Sequence, residues 1–85
     1  MEQLQQAINI AVQLGYSYSQ SGRRHIFEFG NVNKKGVIIC SRLIFIEDNQ
    51  LKLEAGATTI NHGEKTIDEL ISALRHYRKT EICLN

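Results

Sequence analysis

Residues 37–54 read VIICSRLIFIEDNQLKLE. A long β-branched and aliphatic run is followed by a polar turn, Glu47-Asp48-Asn49-Gln50, and then by a clean alternation in which Leu51 and Leu53 are apolar against Lys52 and Glu54. That pattern predicts a β-hairpin with Asp48-Asn49 at its centre, because both residues tolerate left-handed backbone angles. No other segment offers as much apolar surface, so the remaining elements are expected to assemble around this one.

Working outward on the N-terminal side, Leu4, Ala7, Ile8, Ala11 and Val12 fall at the i, i+3, i+4, i+7, i+8 positions of a helical stripe, and Gly15 follows where a left-handed C-terminal cap is wanted. A helix is predicted over residues 2–14. Tyr16 and Tyr18 then alternate with Ser17 and Ser19, Phe27 and Phe29 flank Glu28, and Ser21-Gly22 between them signals a turn. Two antiparallel strands are expected over 16–20 and 25–30, with Ser21-Gly22-Arg23-Arg24 at the tip and a glycine-bounded basic loop, residues 30–36, leading into the central strand.

On the C-terminal side, residues 55–60 read as a continuation of the last strand past a glycine bulge, and 61–65 as loop. Thr66-Ile67-Asp68-Glu69 is a capping box, in which the threonine hydroxyl and the glutamate carboxylate each satisfy a backbone N–H. Ile67, Leu70, Ile71 and Leu74 supply the stripe of a second helix over 66–79, whose acidic start and basic end, Arg75, His76, Arg78 and Lys79, complement the helix dipole. The expected fold class is α+β: a single domain over residues 1–85, with an antiparallel three- to four-stranded sheet and the N-terminal and C-terminal helices on one face (α-β-β-β-β-α), the last few residues being readable as a tail.

At 85 residues folding buries only about 60–65% of the unfolded chain's surface, which leaves a small stability margin. The net charge of +1 provides no whole-protein field to draw the chain onto nucleic acid or an anionic membrane, so such a partner would need a local patch. Cys40 and Cys83 make no disulfide framework. Met1 to Leu14 lacks the basic start of a signal peptide, and the run 37–46, broken by Ser41-Arg42, is about half the length of a membrane-spanning helix. A cytoplasmic protein is expected, with no membrane partner.

The central strand has two largely apolar faces: Val37, Ile39, Ser41, Leu43 and Phe45 on one, Ile38, Cys40, Arg42, Ile44 and Ile46 on the other. Its neighbours are one-sided, with Tyr16, Tyr18, Phe27, Phe29, Leu51 and Leu53 marking a core face and Ser17, Ser19, Glu28, Lys52 and Glu54 a wet one. Two helices on the core face leave the strip Ile38, Cys40, Arg42, Ile44, Ile46 bare inside a polar rim, the composition of an interface with a second copy or another protein. Two arrangements would remove it: a bulge near residues 40–42 that switches parity, or a fold-back of Ile82-Cys83-Leu84 over the strip. On this reading the chain is a small non-enzymatic interaction, regulatory or accessory module acting through the exposed sheet face, as a homodimer or with a protein partner, and in style of bacterial or phage origin.

Catalytic constellations are sparse. His25, His62, His76 and the cysteines show no metal-ligand spacing, and the sequence calls for no metal and no cofactor. Two basic clusters, Arg23-Arg24-His25 with Lys34-Lys35, and Arg75, Arg78 and Lys79 at the end of the second helix, are candidates for phosphate contact, with Tyr77 able to stack a base. The alternative for both is a solvated tip and dipole-complementing charges.

Within residues 8–29, the helix running into Leu14-Gly15-Tyr16 and then Ser21-Gly22-Arg23-Arg24-His25-Ile26-Phe27 resembles the opening of HicA-type toxins. These are small RNA-cleaving proteins of the double-stranded-RNA-binding-like fold. The resemblance implies an RNA-binding protein or ribonuclease in which Gly22 is the turn glycine, His25 the catalytic histidine and Arg23, Arg24, Lys34 and Lys35 the phosphate contacts. One extra residue stands between Gly22 and His25, and the long hairpin replaces that family's compact third strand.

Overall fold

The computed structural model describes residues 2–32 and 35–80. Helix α1 (Glu2–Gln13) is followed by strands β1 (Ser17–Ser21), β2 (Arg24–Val32), β3 (Ile38–Ile46), β4 (Gln50–Ala55) and β5 (Thr58–Glu64), and by helix α2 (Ile67–Thr80). The strands form one antiparallel sheet in the order β1-β2-β3-β4-β5, each paired with its neighbour in sequence. The α+β architecture is the expected one, but the sheet has five strands and not three or four.

The fifth strand comes from Gly56. At φ +60° it does not bulge a continuing strand; it starts a reversal, with Ala55 opposite Thr58 and only Gly56-Ala57 between them. Two-residue hairpins with glycine at the first central position take this route because their twist matches that of the strands. The same device closes β1 onto β2, where Gly22 also has φ +60° and Ser21 faces Arg24. The third turn, at the tip of the central hairpin, uses Asn49 at φ 69°, its N–H donating to the Ile46 carbonyl at 2.8 Å.

Both helix ends follow from their local sequence. At the C-terminus of α1 the Tyr16 N–H donates to the Ala11 carbonyl and the Gly15 N–H to that of Val12, both at 3.0 Å, with Gly15 at φ 97°. This is the Schellman arrangement, which satisfies carbonyls the helix leaves open. At the start of α2 the Thr66 N–H donates to Glu69 Oε1 at 2.9 Å and the Glu69 N–H to Thr66 Oγ1 at 3.1 Å, a reciprocal capping box.

Both helices pack on one face of the sheet, here termed inner. Leu4, Ala7 and Ala11 of α1 and Leu70 and Leu74 of α2 meet Tyr16, Phe27, Phe29, Leu43, Phe45, Leu51 and Leu53 in one buried cluster. Val12, at the rim of the α1 stripe, is left 56% exposed, so that stripe is narrower than its spacing implied. Tyr16 meets Phe27 and Phe29 edge on, the second at 5.1 Å between ring centroids, the arrangement ring quadrupoles prefer. Its hydroxyl donates to the Leu74 carbonyl, which ties the start of the sheet to the far helix.

Removing the Thr66 hydroxyl (Thr66→Ala) is expected to destabilise the fold by about 1 kcal/mol, measured as a lower urea midpoint at unchanged slope. Glu69 sits below its ordinary pKa, chiefly because it accepts the Thr66 N–H, then through the Thr66 hydroxyl, with attraction from Lys65 adding to both. Its stabilising share is therefore complete above the ordinary glutamate pKa and is lost as pH falls through the lowered one. The acid limb of the native protein's stability profile should be steeper than that of Glu69→Gln.

Candidate functional site

The two sheet faces keep their parity throughout. Residues 41, 43 and 45 of β3 point into the core, fully or almost fully buried, and the β2–β3 and β3–β4 registers run without interruption across Arg42. The parity switch considered near residues 40–42 does not occur. The register shift in the sheet lies between β4 and β5, where Leu51 faces Gly63 and Lys52 faces Asn61, so that His62 is the extra residue of a bulge. The segment Ile82-Cys83-Leu84 lies outside the described residues.

The strip expected on the outer face is present but uneven. Ile38 is 76% exposed, Cys40 and Arg42 are exposed, and Ile46 is half-buried. Ile44, however, is only 1% exposed. It lies between Ile26 on β2 and Lys52 on β4, with Arg42 and Ile46 two residues away on its own strand. Ile44 is thus a core residue of the outer face and not an accessible contact.

Around the strip the charges alternate in sign. Arg42 stands opposite both Glu28 and Glu54 and pairs with Glu54 at 3.2 Å; Lys52 is the other cation. Next to Ile38, Gly30 has no side chain, and an added Cβ would meet Ile38 Cγ2 at 3.5 Å. The result is a shallow notch of about 290 Å³ lined by Ser17, Glu28, Phe29, Gly30 and Cys40, with Ile38 projecting beside it. Cys40 is a free thiol whose Sγ lies 3.7 Å from Glu28 Oε2.

His25 belongs to the opposite face. Directly across from Gln20 and Phe45, it points inward, is 5% exposed and stacks on Tyr18 with the rings 15° from parallel. Its Nδ1 and the Tyr18 hydroxyl are 2.7 Å apart. Its Nε2 is buried with no hydrogen-bond partner, the nearest ion-pair group being Glu47 Oε1 at 3.7 Å. The other oxygen of Glu47 faces Arg23 Nε at 3.6 Å. Burial pushes the Tyr18 phenol above its usual pKa, so it is a neutral donor. Beside this group lies a cleft of about 450 Å³ lined by Leu4, Gln5, Ile8, Tyr18, Gln20 and His25.

The candidate phosphate contacts do not form one patch. Arg23 and Arg24 lie at the β1–β2 turn, together with Glu47 and Asp48 of the neighbouring turn. Lys35 precedes β3 at the other end of β2, whose nine residues span roughly 26 Å at ~3.3 Å per residue. Tyr77 packs on Phe29, 6.2 Å between centroids, which directs the last turns of α2, with Arg75, Arg78 and Lys79, toward that second end. Lys34 lies outside the described residues. The tyrosine expected to stack a base is instead half-buried, with its hydroxyl 3.3 Å from His62 Nε2, beside a second cleft of about 430 Å³ between β5 and α2 that His76 also lines.

Among the described residues no group of three or more histidine, cysteine or acidic side chains converges as a metal site, and no helix is long and apolar enough to cross a membrane. Comparison with protein-family models, with curated proteins and with solved structures gives no match. The likeness to HicA-type toxins accordingly rests on the quoted residues alone.

In the sequence Glu47 reads only as part of a polar turn, and nothing in its spacing joins Tyr18 or Gln20 to His25. The connecting signal was the turn: a two-residue loop at Gly22-Arg23 sets Gln20 opposite His25 and Tyr18 diagonal to it. The burial of Ile44 sets a check on the outer face: Ile44→Lys should cost several kcal/mol and lower the melting temperature sharply, because it places a charge at a sealed position. Ile46→Lys, at a half-buried position, should cost markedly less in the same thermal scan.

Proposed function

We propose that this protein is a small interaction module that works by binding through the outer sheet face, and that the first occupant of that face is a second copy of the chain. The observation that carries the reading is the Ile38 knob beside the Gly30 notch on a face that no described element covers. A two-fold axis passing between knob and notch would set each copy's Ile38 into the other's recess, which is how an isologous interface is built: the same patch, self-complementary, used twice.

Charge supports the same occupant. Arg24, Arg42 and Lys52 against Glu28, Glu54 and Glu64 give the face no net charge, so it neither repels a copy of itself nor steers toward a polyanion. Five strands ~4.8 Å apart and about seven residues long present roughly 20 by 25 Å, about 500 Å² in projection, close to the ~600 Å² per partner at the low end of stable interfaces once side-chain relief is added. The separation of Arg23 and Arg24 from Lys35 and Arg75, and the acidic company of Glu47 and Asp48, favour this reading over RNA binding. A regulatory or accessory role fits a module whose working surface is an interface.

Light scattering after size exclusion, from micromolar to millimolar protein at low and high salt, tests the proposal. A dimer that is insensitive to salt and is converted to monomer by Ile38→Glu, and also by Gly30→Val, is expected; both positions are exposed, so the fold should persist in circular dichroism. A native protein that stays monomeric throughout, or a dimer unaffected by Ile38→Glu, overturns it.

A further inference from the structure

The groups around His25 lie on the opposite face of the sheet from the proposed interface and are not used by it. Glu47, His25 and Tyr18 follow one another: the Glu47 carboxylate is 3.7 Å from His25 Nε2, and His25 Nδ1 is 2.7 Å from the hydroxyl of Tyr18, which with His25 lines the cleft. A carboxylate facing Nε2 favours the tautomer that carries its proton there, leaving Nδ1 to accept. The Tyr18 O–H then donates inward to His25, and its oxygen is left as an acceptor toward the cleft.

The two carboxamides point to the same polarity. Gln5 Nε2 donates to Asn9 Oδ1 at 3.0 Å and Gln20 Nε2 to the Gly22 carbonyl at 3.1 Å, which leaves each amide oxygen to accept. No lysine or arginine is among the six lining residues. Leu4, Ile8 and the face of the Tyr18 ring supply apolar wall, and an aromatic face attracts cations. Arg23, the nearest cation of the turn, is 78% exposed at its side chain and already faces the second oxygen of Glu47.

We infer that the cleft between α1 and the β1–β2 hairpin is a binding site for an organic ammonium ion with an apolar body, its N–H groups donating to Tyr18 Oη and the two glutamine oxygens. Bound there, the cation polarises the Tyr18 phenol, whose O–H stays on Tyr18 and bonds His25 Nδ1, while the Glu47 carboxylate, 3.7 Å beyond His25 Nε2, attracts the cation through space from outside the cleft. A volume of about 450 Å³ suits a ligand the size of an aryl-alkyl amine.

The test is a chemical-shift titration of the native protein with benzylamine, benzamide and benzoate at neutral pH, where the three share a ring and differ in charge and donors. Benzylamine should shift the amides of Leu4, Tyr18, Gln20 and His25 saturably, and bind about tenfold more tightly than benzamide, a difference of ~1.4 kcal/mol; benzoate should leave them unmoved. Glu47→Gln should weaken the amine by a similar factor while the rest of the spectrum stays native. Tyr18→Phe should remove the preference for amine over amide, and Gln20→Leu, at an exposed strand position, checks the same point independently. An equal response to amine and amide, an amine affinity unchanged in Glu47→Gln, or no shift at millimolar benzylamine overturns the inference.

Discussion

A β-strand shows each side chain to one face only, and β3 carries apolar residues at both parities while its neighbours carry them at one. The structure depends on how that mismatch is resolved. On the inner face Leu43 and Phe45 are sealed by two helices. On the outer face Ile44 is buried as well, with Ile26 and Lys52 opposite it, and the Arg42–Glu54 pair stands on the next rung of the same face. Beyond Ser41 the β3 strand runs past the end of β4, and there Ile38 is left in solvent. The exposed apolar surface is therefore local and smaller than the strip that alternation alone implies.

Energetics separate the two ends of the molecule. At the Ile38 end the cost is hydration of an aliphatic side chain, about 1.5–3 kcal/mol for complete exposure against complete burial, which an interface would recover. At the Gly22 end the cost is polar: a histidine nitrogen enclosed without a bond. An unsatisfied buried donor costs about 1–3 kcal/mol, and the carboxylate 3.7 Å away offsets only part of that. A small domain tolerates few such debts, and those it retains mark where structure serves something other than stability.

Much of this fold was legible in the sequence because its signals are local. The capping box at Thr66, the glycine cap at Gly15 and the alternation around Leu51 each involve residues within one turn or one strand, and each formed as the spacing indicated. The fifth strand was missed because Thr58-Thr59-Ile60-Asn61-His62-Gly63-Glu64 alternates poorly: it is an edge strand, interrupted by the His62 bulge, and faces solvent over most of its length. The site around His25 was missed for a different reason. Its members, Gln5, Tyr18, His25 and Glu47, come from a helix, two strands and a turn, and only the register of two hairpins brings them together. Likewise Lys35 looked adjacent to Arg23 because they are close in the chain, whereas a full strand length lies between them.

The meander order of the sheet has a further consequence, for how the chain acquires its structure. All four strand pairings join consecutive strands through short turns, the longest connection being the loop between β2 and β3. Contacts of this kind close small loops, and their entropic cost is low, the condition under which domains fold fast. One link is of another type: the Tyr16 hydroxyl and the Leu74 carbonyl, with the α1–α2 contacts around them, join residues 58 positions apart. The hairpins can form in any order along the chain, but the inner face stays open to water until the last helix has been synthesised and docks beside the first. The two helices thus act as a clasp, and the commitment to a closed core falls to α2.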